Sequence, residues 1–282
     1  MVKQTMTEGF RVVLAAAGLC MTLSCAQAQE PVDVALVLAV DVSRSMSPRE
    51  LTIQREGYAA ALNHPDVVRA IGGGVYGRIA VTMFEWAGNG SIRDVFDWTL
   101  VENAADADQL SAIVLNSMPT GLRRTSISGA ILHALKRLDE APFEGFRKVV
   151  DVSGDGPNNH GQPVLAAREA ALKKQIVING LPLMTGDGPG GGFNIPDLDV
   201  YYRECVIGGP GSFLVPVDSW DQFPEAIRRK LILEIGGIPP ITPTIVPVQT
   251  PPSQRVQSSA ESYDCLIGEN IWEQRRWMFD EP

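Results

Sequence analysis

Basic clusters, long apolar runs and histidine are all scarce in this sequence of 282 residues. Lys and Arg number 24 against 33 Asp and Glu, which gives a formal net charge of −9, and there are three His. Binding to nucleic acid depends on clustered basic side chains, so we expect no nucleic-acid partner. Beyond the N-terminal segment, no stretch approaches the ~20 apolar residues of a transmembrane helix, and we expect none in the mature chain.

The N-terminal segment, residues 1–28, has the pattern of a secretory signal peptide. Lys3 and Arg11 lie near its start, residues 12–23 form an apolar run, and residues 26–28 read Ala-Gln-Ala, a small-x-small cleavage pattern. The apolar run is too short to span a membrane comfortably. We therefore expect an exported protein, periplasmic or secreted, that is cleaved after the last residue of this segment.

Cysteine is also sparse once the signal peptide is removed. Of four cysteines, only Cys205 and Cys265 lie in the mature chain. Two cysteines in an oxidising compartment usually pair, and two unrelated buried thiols are the alternative. A disulfide would tether the C-terminal tail, residues 261–282, to the rest of the protein. The tail follows a linker rich in Pro, Thr and Ser, residues 237–260, and it carries two Trp.

The apolar pattern between residues 31 and 236 predicts one α/β domain. Short apolar runs alternate with segments of helical periodicity, which favours a mostly parallel sheet covered by helices on both faces. A Gly-Asn-Gly sequence at 88–90 predicts a hairpin and hence one antiparallel strand. The predicted strands are 32–40, 78–86, 92–100, 148–152, 176–184 and 212–217, and the predicted helices are 47–63, 104–116, 126–138, 163–174 and 221–235.

Three polar segments stand where predicted strands end or helices begin. Asp41, Ser43 and Ser45 directly follow the first strand, Thr125 directly precedes an apolar helix, and Asp155 follows a later strand. In parallel sheets, ligands bind at the carboxyl ends of the strands. These residues therefore form one candidate site.

In this order, the three segments resemble the metal-ion-dependent adhesion site, or MIDAS, of von Willebrand factor A (VWA) domains. The resemblance covers residues 31–236 and implies a Rossmann-like, doubly wound sheet with one antiparallel edge strand. The third segment departs from the family pattern, because Gly154 stands where a threonine is usual. More narrowly, the chain resembles an uncharacterised family of exported VWA proteins that share the segment Tyr201–Cys205 and the glycine-rich turn at 208–211.

The resemblance implies that Ser43, Ser45 and Thr125 are direct ligands of a divalent cation, with Asp41 and Asp155 partly binding through water. Mg²⁺ prefers six oxygen ligands and keeps several waters, so coordination positions stay open. Oxygen-only ligation fits Mg²⁺, Mn²⁺ or Ca²⁺ better than zinc. An Asp or Glu side chain of a partner protein is the expected further ligand.

We therefore predict an exported, cation-dependent protein-binding module. Arg123, Arg124 and His160 lie near the predicted site and are candidate partner contacts, although solvated loop residues would look the same in the sequence. One alternative is a metal-assisted hydrolase that uses Asp155 and His160, but no activated nucleophile with an orienting group is evident. The other is a structural VWA protein without a functional metal.

Overall fold

The computed structural model describes residues 29–118, 121–186, 194–237 and 263–275. The predicted signal peptide and nearly all of the predicted linker therefore lie outside the described residues. The centre of the fold is a five-stranded sheet in the order β3-β2-β1-β4-β5. Neighbouring strands are parallel except for the edge strand β3, which is antiparallel to β2, as predicted. The strands are β1 (Glu30–Asp41), β2 (Ile79–Trp86), β3 (Ile92–Val101), β4 (Phe143–Gly154) and β5 (Val177–Pro182).

Helices cover both faces of this sheet. One face packs against α1, α2, α3 and α7, and the other packs against α4, α5 and α6, with α8 at its margin. The helices are α1 (Pro48–Leu62), α2 (Pro65–Gly72), α3 (Ala104–Asn116), α4 (Ile127–Asp139), α5 (Val164–Lys173), α6 (Leu198–Tyr201), α7 (Phe223–Gly236) and α8 (Ile267–Arg275). A π-helical turn (Tyr202–Val206) continues α6, and a 3₁₀ turn (Trp220–Gln222) leads into α7.

Strand β1 is apolar along almost its whole length because it is the central strand and is buried on both faces. Leu36 and Leu38 belong to the core under α1 and α7, whereas Val37 and the small residues Ala35 and Ala39 face α4. Side chains alternate between the faces of a strand, so one continuous run of apolar residues fills two separate cores.

The sheet order places a topological switch point between β1 and β4. From β1 the sheet continues through β2 to β3 on one side, and from β4 it continues to β5 on the other. At such a point, the connections leave the carboxyl ends of two neighbouring strands in opposite directions and leave a crevice between them. Asp41 ends β1, and Asp155 directly follows β4, so both residues lie at this crevice.

The start of α1 is built by a capping box. Ser47 Oγ accepts a hydrogen bond from the Glu50 amide, and the Glu50 carboxylate accepts one from the Ser47 amide. Pro48 occupies the first turn of the helix, where its missing N–H costs nothing. The helix start fixes the end of the loop that contains Ser43 and Ser45.

Charged side chains fix α7 to the sheet. The ammonium group of Lys230 lies 2.5 Å from a carboxylate oxygen of Asp151 on β4 and 2.5 Å from one of Glu234. All three residues are at most 1% exposed. Glu234 also accepts a hydrogen bond from Asn179 on β5 at 3.1 Å. The predicted helix therefore carries a buried ionic cluster beside its apolar face.

The structure corrects the prediction of a strand at 212–217. This segment forms only isolated parallel bridges, from Leu214 to Gly180 and from Val217 to Leu183, so it lies along β5 without a continuous ladder. Helix α2 and the π-helical turn were not predicted, because each is too short to give a clear apolar period.

Candidate metal centre

Hydrogen bonds bring the first and third predicted segments together. Asp41 Oδ1 accepts from the Ser43 amide at 2.7 Å, which folds the chain back at the end of β1. Ser43 Oγ and Ser45 Oγ lie 2.7 Å apart, and Ser45 Oγ donates to Asp155 Oδ1 at 2.7 Å. Asp41 is fully buried, and Asp155 is 6% exposed. Four of the five predicted metal ligands are therefore joined in one continuous network.

Backbone hydrogen bonds attach the second segment to the other two. The Arg44 amide donates to the Leu122 carbonyl at 2.7 Å, and the Leu122 amide donates to the Val42 carbonyl at 2.9 Å. On the other side, the Thr125 amide donates to Asn159 Oδ1, and the Asn159 amide donates to the Thr125 carbonyl, each at 2.9 Å. Thr125, the fifth predicted ligand, is therefore held between the first and third loops with 5% of its surface exposed.

The candidate partner contacts lie around the second loop. Arg123 and Arg124 are exposed. Arg124 has a φ of 70°, a left-handed backbone conformation that is unfavourable for residues other than glycine. The Arg124 guanidinium lies 4.4 Å from the centre of the Trp272 ring. His160 Nδ1 accepts a hydrogen bond from the Asn89 amide at 2.9 Å, and burial, followed by the charge of Arg124, lowers its pKa. His160 thus joins two loops beside the site.

Burial makes the two carboxylates of the site costly to ionise. Burial, followed by the negative charge of Asp155, raises the pKa of Asp41 well above its usual range. Burial also raises the pKa of Asp155 to about 6, although the hydrogen bond from Ser45 opposes that change. Asp41 Oδ2 is buried and has no hydrogen-bond partner among the described residues. A positive charge bound here would favour the ionised form of both groups.

These residues fit a hard divalent cation. The set comprises two carboxylates and three hydroxyls, and oxygen ligands are those that Mg²⁺, Mn²⁺ and Ca²⁺ prefer. Across the described ranges, there is no group of three or more His, Cys, Asp and Glu that could hold a metal, so hydroxyls would have to complete any site at this position. The unpartnered Oδ2 of Asp41 is a free acceptor that a cation or its bound water could use.

Comparison with known proteins places the chain in a family. A family model described as "Protein of unknown function (DUF1194)" matches residues 31–239. The chain belongs to this family. The match agrees with the predicted resemblance to an uncharacterised family of VWA proteins. No curated protein sequence matches this DUF1194 chain.

Solved structures share the fold of this DUF1194 protein. The pilus adhesin SpaC from Lactobacillus rhamnosus GG is 15% identical, with a TM-score of 0.54 over 74% of this chain and 31% of the adhesin. Proximal thread matrix protein 1 from the mussel byssus is 12% identical, with a TM-score of 0.52 over 73% of this chain and 48% of that protein. A von Willebrand factor type A protein from Catenulispora acidiphila is 14% identical, with a TM-score of 0.48 over 73% of this chain and 43% of that protein.

These matches span less than half of each of the three proteins. The adhesin and the thread matrix protein, whose TM-scores exceed 0.5, show the fold alone at such low identity. The predicted VWA fold, a mostly parallel sheet with one antiparallel strand and helices around it, is confirmed.

The C-terminal tail of this DUF1194 chain packs beside the site. The structure contains the predicted disulfide between Cys205 and Cys265, and α8 follows it. Asn158 Nδ2 donates to Glu269 Oε1 at 2.7 Å. A Cβ atom at Gly268 would lie 2.1 Å from the Asn158 carbonyl oxygen, so only glycine allows α8 to approach the third loop this closely.

Two contributors to the site were not predicted from the sequence. Asn159 supports Thr125, and its position in a polar loop after Asp155 was the only available signal. Tyr202 lies beneath the third loop, where a Cβ atom at Gly154 would be 2.9 Å from its hydroxyl oxygen. The segment from Tyr201 to Cys205 is part of the family resemblance, but nothing in the sequence connects it with Asp41.

Proposed function

We propose that this protein is an exported, cation-dependent protein-binding module whose metal site recognises an acidic side chain of a partner. One observation carries the proposal: the end of β1 and the start of the third loop bring Asp41, Ser43, Ser45 and Asp155 into one hydrogen-bonded cluster at the switch point. A polar turn that merely capped a helix would not need a buried carboxylate with an unpartnered oxygen, as Asp41 has.

The proposed cation is Mg²⁺, with Mn²⁺ or Ca²⁺ as substitutes. Ser43, Ser45 and Thr125 would supply hydroxyl ligands, and Asp41 and Asp155 would supply the balancing negative charge. When bound, the cation offers an open coordination position to a carboxylate from another molecule. Arg123 and Arg124 are exposed beside Thr125, and their positive charge favours the approach of such a carboxylate. The net negative charge of the chain would otherwise repel it.

Binding is favoured over metal-assisted hydrolysis by the position of His160. Its Nδ1 already accepts a hydrogen bond from the Asn89 amide, which leaves that nitrogen unable to act as the base of a hydrolase. The names of the compared structures, a pilus adhesin and a thread matrix protein, point in the same direction.

Export is proposed from the pattern of residues 1–28 and supported by the disulfide, since disulfides persist in oxidising compartments. Within the described part of the chain, no helix is both long and apolar enough to cross a membrane.

A displayed library of random peptides tests this function. The mature chain is immobilised with Mg²⁺, and bound peptides are released with EDTA. We expect released peptides that share an Asp or Glu whose replacement by Asn or Gln abolishes binding, and none from the Asp41→Ala variant. Peptides that bind equally well in EDTA, or without any acidic residue, would refute the proposal.

A further inference from the structure

The hydroxyl of Tyr202 occupies the space beside Gly154, where the VWA pattern has a threonine. A Cβ atom at Gly154 would lie 2.9 Å from Tyr202 Oη and 3.0 Å from Asp41 Oδ2. Gly154 ends β4 with ordinary backbone angles, so its φ does not require glycine. The close approach of these two oxygen atoms does require it. In this chain, a tyrosine hydroxyl therefore lies beside the position at which the resembled pattern has a threonine.

Both oxygen atoms that face Gly154 are buried and unpartnered. Tyr202 and Asp41 are 0% exposed, and neither Tyr202 Oη nor Asp41 Oδ2 has a hydrogen-bond partner among the described residues. A buried polar atom without a partner destabilises the fold, so two that approach the same point call for a shared partner. A water of a hydrated cation would serve both, because its oxygen faces the cation and its two hydrogens can be donated, one to the carboxylate and one to the hydroxyl oxygen.

The ring of Tyr202 is packed between β5 and the turn that carries the disulfide. A Cβ atom at Gly180 on β5 would lie 2.7 Å from the ring atom Cδ1, so the ring packs directly on the strand backbone. The neighbouring Tyr201 accepts a hydrogen bond at Oη from the Asn158 amide at 3.1 Å. Three residues after Tyr202, the disulfide of Cys205 anchors the same turn. Both tyrosines therefore reach the loop that contains Asp155.

An ordinary core tyrosine is the alternative explanation, and the chain contains one for comparison. Tyr58 on α1 is also 0% exposed, but its hydroxyl lies 3.2 Å from Ser153 Oγ and donates to it. Its ring belongs to the core on the opposite face of the sheet from Tyr202. Tyr58 shows how a buried hydroxyl is satisfied within the protein, whereas Tyr202 places its hydroxyl at the metal site.

We propose that Tyr202 is a positioning residue of the metal site and replaces the hydroxyl that is missing at Gly154. A water bound by the cation donates one hydrogen to Tyr202 Oη and the other to Asp41 Oδ2. The inference rests on the proposed cation site. It adds a ligand-supporting group to the five residues of the predicted metal site.

Calorimetric titration of the mature chain with Mn²⁺ tests this role. Tyr202→Phe removes only the hydroxyl, and Tyr58→Phe is the matched control. We expect Tyr202→Phe to weaken Mn²⁺ binding roughly ten- to hundredfold, the usual effect of removing a group that supports a metal ligand. The control should bind within about twofold of the parent, a change far smaller than that loss. Equal affinity of Tyr202→Phe and the parent would overturn the inference and leave the proposed function intact.

A spectroscopic measurement separates this role from a purely structural one. Mg²⁺ should change the near-ultraviolet tyrosine absorbance of the parent and of Tyr58→Phe, and this change should vanish in Tyr202→Phe. Thermal unfolding in EDTA shows whether each variant folds. A tyrosine difference spectrum that persists in Tyr202→Phe would refute the inference. If the parent binds neither Mn²⁺ nor Mg²⁺, the proposed function fails and this inference fails with it.

Discussion

Replacing Asp155 with Asn should make the protein more stable than the parent without a cation and less stable than the parent in excess Mg²⁺. Asp155 is 6% exposed, and Ser45 Oγ donates to its Oδ1 at 2.7 Å. An asparagine has the same shape and can still accept that hydrogen bond at its amide oxygen. The substitution therefore removes the buried negative charge and preserves the packing of the third loop.

The size of the effect follows from the pKa of Asp155. Burial raises this pKa from 3.8 to about 6 in the folded protein. A raised pKa means that the folded state holds the proton more tightly than the unfolded state. The stabilisation from this group is complete below pH 3.8 and is lost as the pH rises through 6. Two pKa units correspond to about 3 kcal/mol as an upper bound, or roughly 6–12 °C in melting temperature for a domain of this size.

Thermal unfolding of the parent and Asp155→Asn in EDTA, measured from pH 4 to pH 8, tests this reasoning. The two proteins should melt together at the acidic end, and the variant should melt increasingly higher as the pH rises. Mg²⁺ at ~1,000 times its Kd should reverse the order at pH 8, because it adds about 4.1 kcal/mol to the parent alone, which exceeds the advantage of the variant. A difference in melting temperature that stays constant across the pH range would refute this reasoning. So would equal stabilisation of the two proteins by Mg²⁺.

Two further changes test the ionic cluster and the tail. Lys230→Met leaves Asp151 and Glu234 buried without their cation, so we expect a loss of about 3–5 kcal/mol in urea unfolding; near-parental stability would contradict an ionised cluster. Cys265→Ser should expose α8 to limited proteolysis, and equal protease resistance of variant and parent would show that the disulfide does not hold the tail. Mass spectrometry of the unreduced, exported protein should find a chain that begins at Gln29 and has no free thiol, whereas two free thiols or an intact N-terminus would contradict the disulfide or the cleavage.

The predictable parts of the site were those encoded by local sequence. Asp41, Ser43 and Ser45 lie within five residues directly after an apolar strand, and such a pattern predicts both the turn and its chemistry. The strand at 212–217 was predicted wrongly, because its apolar content reflects packing along β5 rather than a ladder. A period of two residues cannot distinguish these two kinds of burial.

The sequence by itself determined the alternation of strands and helices, the antiparallel strand and the identity of the polar residues that end the strands. These properties follow from hydrophobic periodicity and from local capping, which act over a few residues. Only the tertiary structure decided that Asp155 meets Ser45, that α8 packs on the loop of Asn158, and that the hydroxyl of Tyr202 fills the space at Gly154. Such contacts join residues far apart in the chain, and their geometry is set by how the strands and helices pack together.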